Sequence, residues 1–312
     1  MRAVGVNEHG GPEALEVVEL PDPEAGPGQI LVRVHAATVN PTDTYGRNGA
    51  RAEHQKKDPP PYVSGMDVAG VVEAIGPDVD TELSVGDHVM AIVLPDGSHG
   101  GYSEKLALPA GSVVAVPEGT TDVEASTLPM NGLTARLALD LLGLEPGETV
   151  AVTGAAGAFG GYAVQLAKAD GLRVIADASE DDESLVGDLG ADVVVRRGDD
   201  VAHRIAEHAP DGVDAIIDGS VQNDALFAAV KDGGGFATVR GFRGEAPRDI
   251  EVHQVWVHTY LEEREKLDTL RRQVEEGAIT LRVADTFAPE DAAESHRRLE
   301  AGGVRGRLVI EF

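Results

Sequence analysis

"TVAVTGAAGAFGG", residues 149–161, decides how this chain folds. It opens a run of nineteen residues, Thr149 to Ala167, without one charged side chain. Such a run has three readings: a membrane span, a flexible linker, or a turn that cradles an anion. A span needs about 20 predominantly apolar residues. This one is interrupted by glycine, threonine and Gln165. A linker would lack any pattern, yet "TVAV" reads as a buried strand, "TGAAGAFGG" as a turn and "GYAVQLAKAD" as a helix. Gly154, Gly157 and Gly160 recur three apart. Glycine at such places permits a tight turn, close approach of a phosphate to the backbone, and close helix–strand packing. The helix opening at Ala158 and Phe159 then presents N–H groups that have no intrahelical acceptor.

Downstream, strand-like runs "RVIAD", "DVVVR", "VDAIID" and "GFATVR" alternate with helical ones, "DESLVGDLG", "DVAHRIAEHA" and "QNDALFAAVK". That alternation predicts βαβ units and a parallel, doubly wound sheet. A glycine repeat alone is a weak signal. Following a strand, opening a helix and heading five alternating strands, it predicts a dinucleotide site.

Upstream the texture differs. Short β-branched runs ("RAVGV", "ILVRVHAATV", "VAGVVEAIG", "DHVMAIVL") are punctuated by Gly and Pro, which predicts a mostly antiparallel β domain. After helices "EEREKLDTLRRQVEEG" and "PEDAAESHRRLEAG", the final strand "RLVIEF" is expected to return to that first domain. The expected division is 1–123 with 272–312 as the β domain, and 124–271 as the dinucleotide-binding domain.

Composition narrows the function. The chain has 312 residues, no cysteine and a net charge of −28, with 54 acidic against 26 basic residues. A surface this negative repels nucleic acid and anionic membranes. Without cysteine there is no thiolate nucleophile and no Cys-type zinc site. None of the ten histidines forms an HExxH-type pair, and no Gly-x-Ser-x-Gly elbow supports acyl transfer. Six lysines and many dispersed acids suit a solvated surface in high salt, that of a halophile. "MRAVGV" has no leader pattern, so a cytoplasmic location is expected.

The segment "SGMDVAGVVEAIGPDVDTELSVGDHV", with "VNPTDTYGRNG" at 39–49, "LPMNGLTARLAL" at 128–139 and the "AAGAFG" turn, resembles the medium-chain dehydrogenase/reductase superfamily. The likeness is to its zinc-independent quinone oxidoreductase (zeta-crystallin-like) branch and covers essentially the whole chain. It implies a GroES-like catalytic domain beside a Rossmann domain. Where zinc-dependent relatives carry their ligands, this chain has Asn40, Met66 and the neighbourhood of Met130–Asn131. The resemblance therefore implies no catalytic metal.

It also implies reduction of quinones or α,β-unsaturated carbonyls by a nicotinamide coenzyme. Asn40 is expected at the nicotinamide end. Tyr45 is the candidate proton donor, the alternatives being an interface-packing tyrosine with water as donor. Thr134 falls where the branch places a hydroxyl near the nicotinamide, and Gly241 and Phe242 on the loop facing it. Coenzyme choice stays open. Asp177, about 20 residues beyond the turn, fits the acid that holds a free ribose 2′-OH in NADH, with Ser179 in the same loop. Arg196 instead suits the 2′-phosphate of NADPH. Family habit tips the expectation to NADPH. "EHQKKDPPPY" at 53–62 is expected to border the substrate. Relatives commonly dimerise through the edge of the coenzyme sheet, and "IEVHQVWVHTY" at 250–260 suits such an edge in a homodimer. Two rivals remain: an enoyl-thioester reductase, and a crystallin-like NADPH-binding protein with little turnover.

Overall fold

Alternating apolar residues build the first sheet system. The computed structural model describes residues 1–50, 52 and 59–312, so Lys56 and Lys57 of the expected substrate border lie outside the described residues. Strands β1 (Arg2–Val6), β2 (Glu16–Glu19), β3 (Gln29–Thr38), β4 (Tyr62–Val63), β5 (Asp67–Ile75), β6 (His88–Ile92), β7 (Lys105–Pro109) and β8 (Val113–Ala115) come first. In β3, Ile30, Val32 and Val34 point to one buried core with Val68 and Val72 of β5 and Val89 and Ala91 of β6. The period of two makes one face apolar, and the antiparallel pairs β3–β5 and β5–β6 follow. β3 is bulged between Val34 and Ala36, which leaves His35 as the extra residue.

Strands β9 (Thr149–Thr153), β10 (Arg173–Ala178), β11 (Val193–Arg196), β12 (Val213–Asp218), β13 (Val230–Thr238) and β14 (Glu251–Gln254) form the second sheet, in the order β11-β10-β9-β12-β13-β14. Every pair is parallel. The order reverses between β9 and β12, and ligands of such sheets bind beyond the strand C-termini at that switch. The interior strands are apolar on both faces, as parallel strands covered by helices must be.

β15 (Val283–Phe287) and β16 (Arg307–Glu311) end the chain. β16 joins β3 antiparallel, pairing Ile310 with Ala37, so the last strand completes the first sheet. The chain divides into two compact units. One holds Met1–Met130, His258–Glu275 and Leu281–Phe312; the other holds Asn131–Val257 and Glu276–Thr280. Among the described residues no helix is long and apolar enough to cross a membrane.

One element departs from expectation. "QNDALFAAVK" forms a 3-10 helix over Asn223–Ala229 rather than an α-helix. The Asp218 carboxylate draws in the N–H groups of Gln222 and Asn223, at 3.2 and 2.8 Å, and Val221 and Asn223 take positive φ. The entry is thereby tightened beyond what an α-helical first turn admits.

Candidate active site

The glycine turn joins β9 to the helix Ala158–Ala169. Gly154 has φ +70°, a left-handed value that favours glycine. A Cβ on Gly160 would lie 2.3 Å from Gly154 O, so the helix rests directly on the turn. Gly157 is the N-cap at ordinary extended dihedrals. The first N–H groups of this 12-residue helix, on Ala158, Phe159 and Gly160, lack intrahelical acceptors and carry the positive end of the helix dipole. Gly219, just beyond β12, donates its N–H to Thr153 O at 3.1 Å, and a Cβ there would press on that oxygen and on the Phe159 ring. Glycine at these positions thus lets the helix and the end of β12 pack directly on the turn. Close helix–strand packing of this kind, with unpaired N–H groups at the helix start, is what a dinucleotide-binding turn uses.

Of the other candidate residues of this unit, all but Thr134 lie at or just beyond the C-terminal ends of the same parallel strands. Asp177, on β10 and 4 % exposed, turns inward. Its Oδ1 accepts from Gly154 N at 2.7 Å and Ala155 N at 3.2 Å. Burial pushes this carboxyl up, and the two N–H groups oppose the rise. Its observed task is to brace the turn. Ser179 caps the 3-10 turn Glu180–Asp182 and donates its hydroxyl to Asp182. Arg196, at the end of β11, pairs with Glu180 at 2.8 Å and is 47 % exposed. Gly241 (φ +75°) and Phe242 follow β13, and Phe242 N–H donates to Gln254 Oε1 at 3.2 Å while its ring packs edge-on against Phe227. Thr134 is buried in the helix Pro129–Leu142.

Sequence reasoning missed one group here. Thr238, the last residue of β13, is fully buried, and its Oγ1 has no hydrogen-bond partner. An orphaned hydroxyl is costly, and this one stands at the ligand end of a strand. A threonine closing an apolar run is the only trace it leaves in the sequence.

In the first unit, Asn40 caps the helix Pro41–Asn48 and is 0 % exposed. Both ends of its amide are engaged. Nδ2 donates to Asp67 Oδ2 at 2.8 Å, and Oδ1 accepts from Arg307 at 2.7 Å. Arg307 also reaches Asp67 at 2.9 Å and Thr38 Oγ1 at 2.8 Å. Asp67 accepts in addition from Thr38 Oγ1 at 2.8 Å and from Met130 N–H. Met66 Sδ accepts the Thr42 hydroxyl at 3.2 Å. Arg307 escaped notice because it merely heads an apolar strand.

Tyr45 lies half-buried on the same helix as Asp43. Asp43 is a structural hub. Its carboxylate accepts from Asn40 N, Gly65 N and the Tyr102 hydroxyl at 2.8, 3.1 and 2.8 Å. Burial nonetheless raises it to about 6.

Residues 26–118 match the alcohol dehydrogenase GroES-like domain, and residues 189–310 match the zinc-binding dehydrogenase family. The chain is 31 % identical to the quinone oxidoreductase of Rattus norvegicus over 332 aligned positions, covering 99 % of this chain and 97 % of that one. The crystal structure of an NAD-dependent alcohol dehydrogenase is 32 % identical with a TM-score of 0.89, covering 100 % of both chains. A mycobacterial structure complexed with NADPH is 30 % identical with a TM-score of 0.88, again over 100 % of both. With likeness running the length of the chain, and with the glycine turn and both sheets in place, the chain belongs to the medium-chain dehydrogenase/reductase superfamily of oxidoreductases, and quinone oxidoreductases are among its relatives.

Proposed function

We propose that the protein reduces quinones or α,β-unsaturated carbonyls with NADPH, accepting NADH less well, and that it uses no catalytic metal. One observation carries the reading. At the positions the resemblance aligns with zinc ligands stand an amide held at both ends, Asn40, and a thioether, Met66, with no thiolate in the chain. The Arg307 guanidinium lies 2.7 Å from the Asn40 oxygen, so an added dication would meet a buried positive charge. That donor set does not fit Zn²⁺. Alcohol oxidation relies on a Lewis acid to stabilise the alkoxide. A quinone or enone delocalises the charge it gains and needs none.

A bound nicotinamide supplies the hydride. The chain's part is to hold and orient. The N–H groups of Ala158, Phe159 and Gly160 receive the pyrophosphate. Tyr45 donates a proton to the reduced oxygen, water being the alternative donor. Arg196 receives the 2′-phosphate once it exchanges Glu180 for it.

The test is a matrix of NADPH and NADH against quinones, enones, enoyl thioesters and simple alcohols, each with and without exhaustive chelation. Quinone or enone turnover that survives chelation supports the proposal. Alcohol oxidation lost on chelation and restored by Zn²⁺ overturns it. Tight coenzyme binding with no turnover favours the crystallin-like rival.

A further inference from the structure

Three residues far apart in the chain meet on one face of the first unit. His35 is the bulge residue of β3, His88 opens β6, and Asp122 begins the short helix Asp122–Ala125. His35 Nδ1 lies 2.7 Å from Asp122 Oδ2. His88 Nδ1 lies 2.8 Å from Oδ1 and 3.1 Å from Oδ2 of the same carboxylate. The three ligand atoms fall within 4.8 Å of one another, and among the described residues no other such group of three His, Cys, Asp or Glu occurs.

We propose that His35, His88 and Asp122 bind one divalent metal of the Zn²⁺ class, as a staple of the first unit distinct from the coenzyme site. The spacing is that of His–carboxylate hydrogen bonds, slightly shorter than that of ligands sharing an ion. Bonds of about 2.0–2.2 Å set neighbouring ligands about 3.0 Å apart in octahedral and about 3.4 Å apart in tetrahedral arrangement. The closest approaches, 2.7 and 2.8 Å, lie below both figures; an outward shift of about 0.2–0.3 Å admits an octahedral ion and one of about 0.6–0.7 Å a tetrahedral ion.

The donors are chemically suited. Two imidazole nitrogens and a carboxylate select a borderline metal, not Ca²⁺ or Mg²⁺, which prefer all-oxygen sets. They also sit on a fixed frame. Phe312 N–H bonds His35 O at 3.0 Å, and Val116 N–H bonds His88 O at 3.1 Å. A capping box holds Asp122 from both sides in sequence: Thr121 N–H donates to Glu124 Oε2 at 2.9 Å, and Glu124 N–H donates to Thr121 Oγ1 at 3.2 Å.

Access is available. The His35 and His88 side chains are 37 % and 56 % exposed, and Asp122 is 11 % exposed. Water can therefore complete the coordination, and the net charge of −28 concentrates cations near the surface. Because three separate segments contribute, the ion would tie β3, β6 and the short helix together and stabilise the folded state by mass action.

The test uses the full chain, stripped of metal and dialysed against Zn²⁺ or Co²⁺ in a large excess of Mg²⁺, which silences the scattered surface acids. One equivalent of Zn²⁺ should remain, with a raised melting temperature, and Co²⁺ should give a visible absorption band. His88→Ala, an exposed position that leaves the fold intact by circular dichroism, should lose that equivalent. Its affinity should fall by more than the ~10–100-fold that an outer-shell partner is worth. Asp122→Asn should weaken binding as well. Coenzyme binding should be unchanged in His88→Ala. No zinc retained above the Mg²⁺ background, or an equivalent that persists in His88→Ala, overturns the proposal.

Discussion

Gly157 and Gly160 stand three residues apart and carry different burdens. At Gly157 the backbone has φ −70°, and a Cβ would meet Gly154 O at a tolerable 3.2 Å. Gly157→Asp should therefore fold with a near-native melting temperature. Its carboxylate would nevertheless face the phosphates, and like charges brought together cost several kcal/mol. Coenzyme affinity, read by fluorescence titration, should fall about 100-fold or more. Unchanged affinity in the folded variant would remove the turn from the site. Gly160→Ala inverts the pattern, because its Cβ would enter the 2.3 Å gap to Gly154 O. Overpacking of that kind costs about 1–3 kcal/mol and should appear in the melting temperature first. Under the proposed function, Arg196 is the residue that sets the choice of coenzyme. Because Glu180 occupies its guanidinium at 2.8 Å, Glu180→Gln should raise the NADPH/NADH ratio of kcat/KM and Arg196→Ala should lower it. An exposed pair is worth at most about 1 kcal/mol, so each change should be about five-fold or less. If Arg196→Ala leaves the ratio untouched, that arginine is only a surface charge.

Strands and helices were legible where one period ruled them. The interior parallel strands are apolar runs between turn residues, and β3 alternates its buried face. The polar contacts that lock elements together left no such trace. Asp67 and Arg307 are 240 residues apart, yet they meet at 2.9 Å with neither side chain more than 3 % exposed. Stranding one member of a buried ion pair costs about 3–5 kcal/mol. Arg307→Met should lose that much stability in urea melts; a loss below about 1 kcal/mol would show the pair to be dispensable. A second lock joins the helices Pro41–Asn48 and Ala292–Ala301. Arg47 pairs with Glu300 at 2.7 Å and reaches His296 Nδ1 at 3.2 Å, while His296 Nε2 lies 3.2 Å from the Tyr102 hydroxyl. Arginine only donates, so Nδ1 accepts and the ring is neutral. Burial, then the Arg47 charge, holds His296 down to about 3 from an ordinary 6.5. A depressed histidine contributes its stability in full above about 6.5 and loses it as pH falls toward about 3. Asp43, raised to about 6, has the opposite sign and recovers stability as pH falls from about 6 toward 3.8. Between about 6 and 3.8 the two one-proton slopes oppose each other, so removing the histidine removes the descending one. His296→Asn should therefore flatten the loss of stability between pH 6.5 and 4, measured by urea melts across that range. A slope equal to the parent's would mean that His296 does not titrate with unfolding.

At the scale of the whole molecule, two sheets of different pattern were readable because each has its own period and its own turn chemistry. Which distant residues share a site was not. His35, His88 and Asp122 have no spacing that marks them, and only the pairing of β3, β5 and β6 beneath the short helix brings them together. Charge, by contrast, needs no structure to be read. With 54 acidic and 26 basic residues, folding confines a net charge of −28 to two compact units. Compaction brings like charges closer than they are in the unfolded chain, so self-repulsion opposes folding. Much of the positive charge is already spent locally, as in Lys105 with Glu73 and Asp22, or Arg271 with Asp268 and Glu275. The net negative charge that remains depends on the solvent for its screening. Salt shortens the reach of their repulsion, from about 10 Å at 0.1 M to about 3 Å at 1 M. The same salt weakens the exposed pairs, but each of those contributes at most about 1 kcal/mol. The repulsion is summed over the whole surface and should dominate. The melting temperature should therefore climb steadily from dilute buffer to molar KCl, with most of the rise at the low end where the screening length changes fastest. Choline chloride, which screens equally without a small inorganic cation, should reproduce the rise. A melting temperature equal in dilute buffer and in molar KCl would mean that the acidic surface does not limit stability, and the inferred suitability for high salt would fall with it.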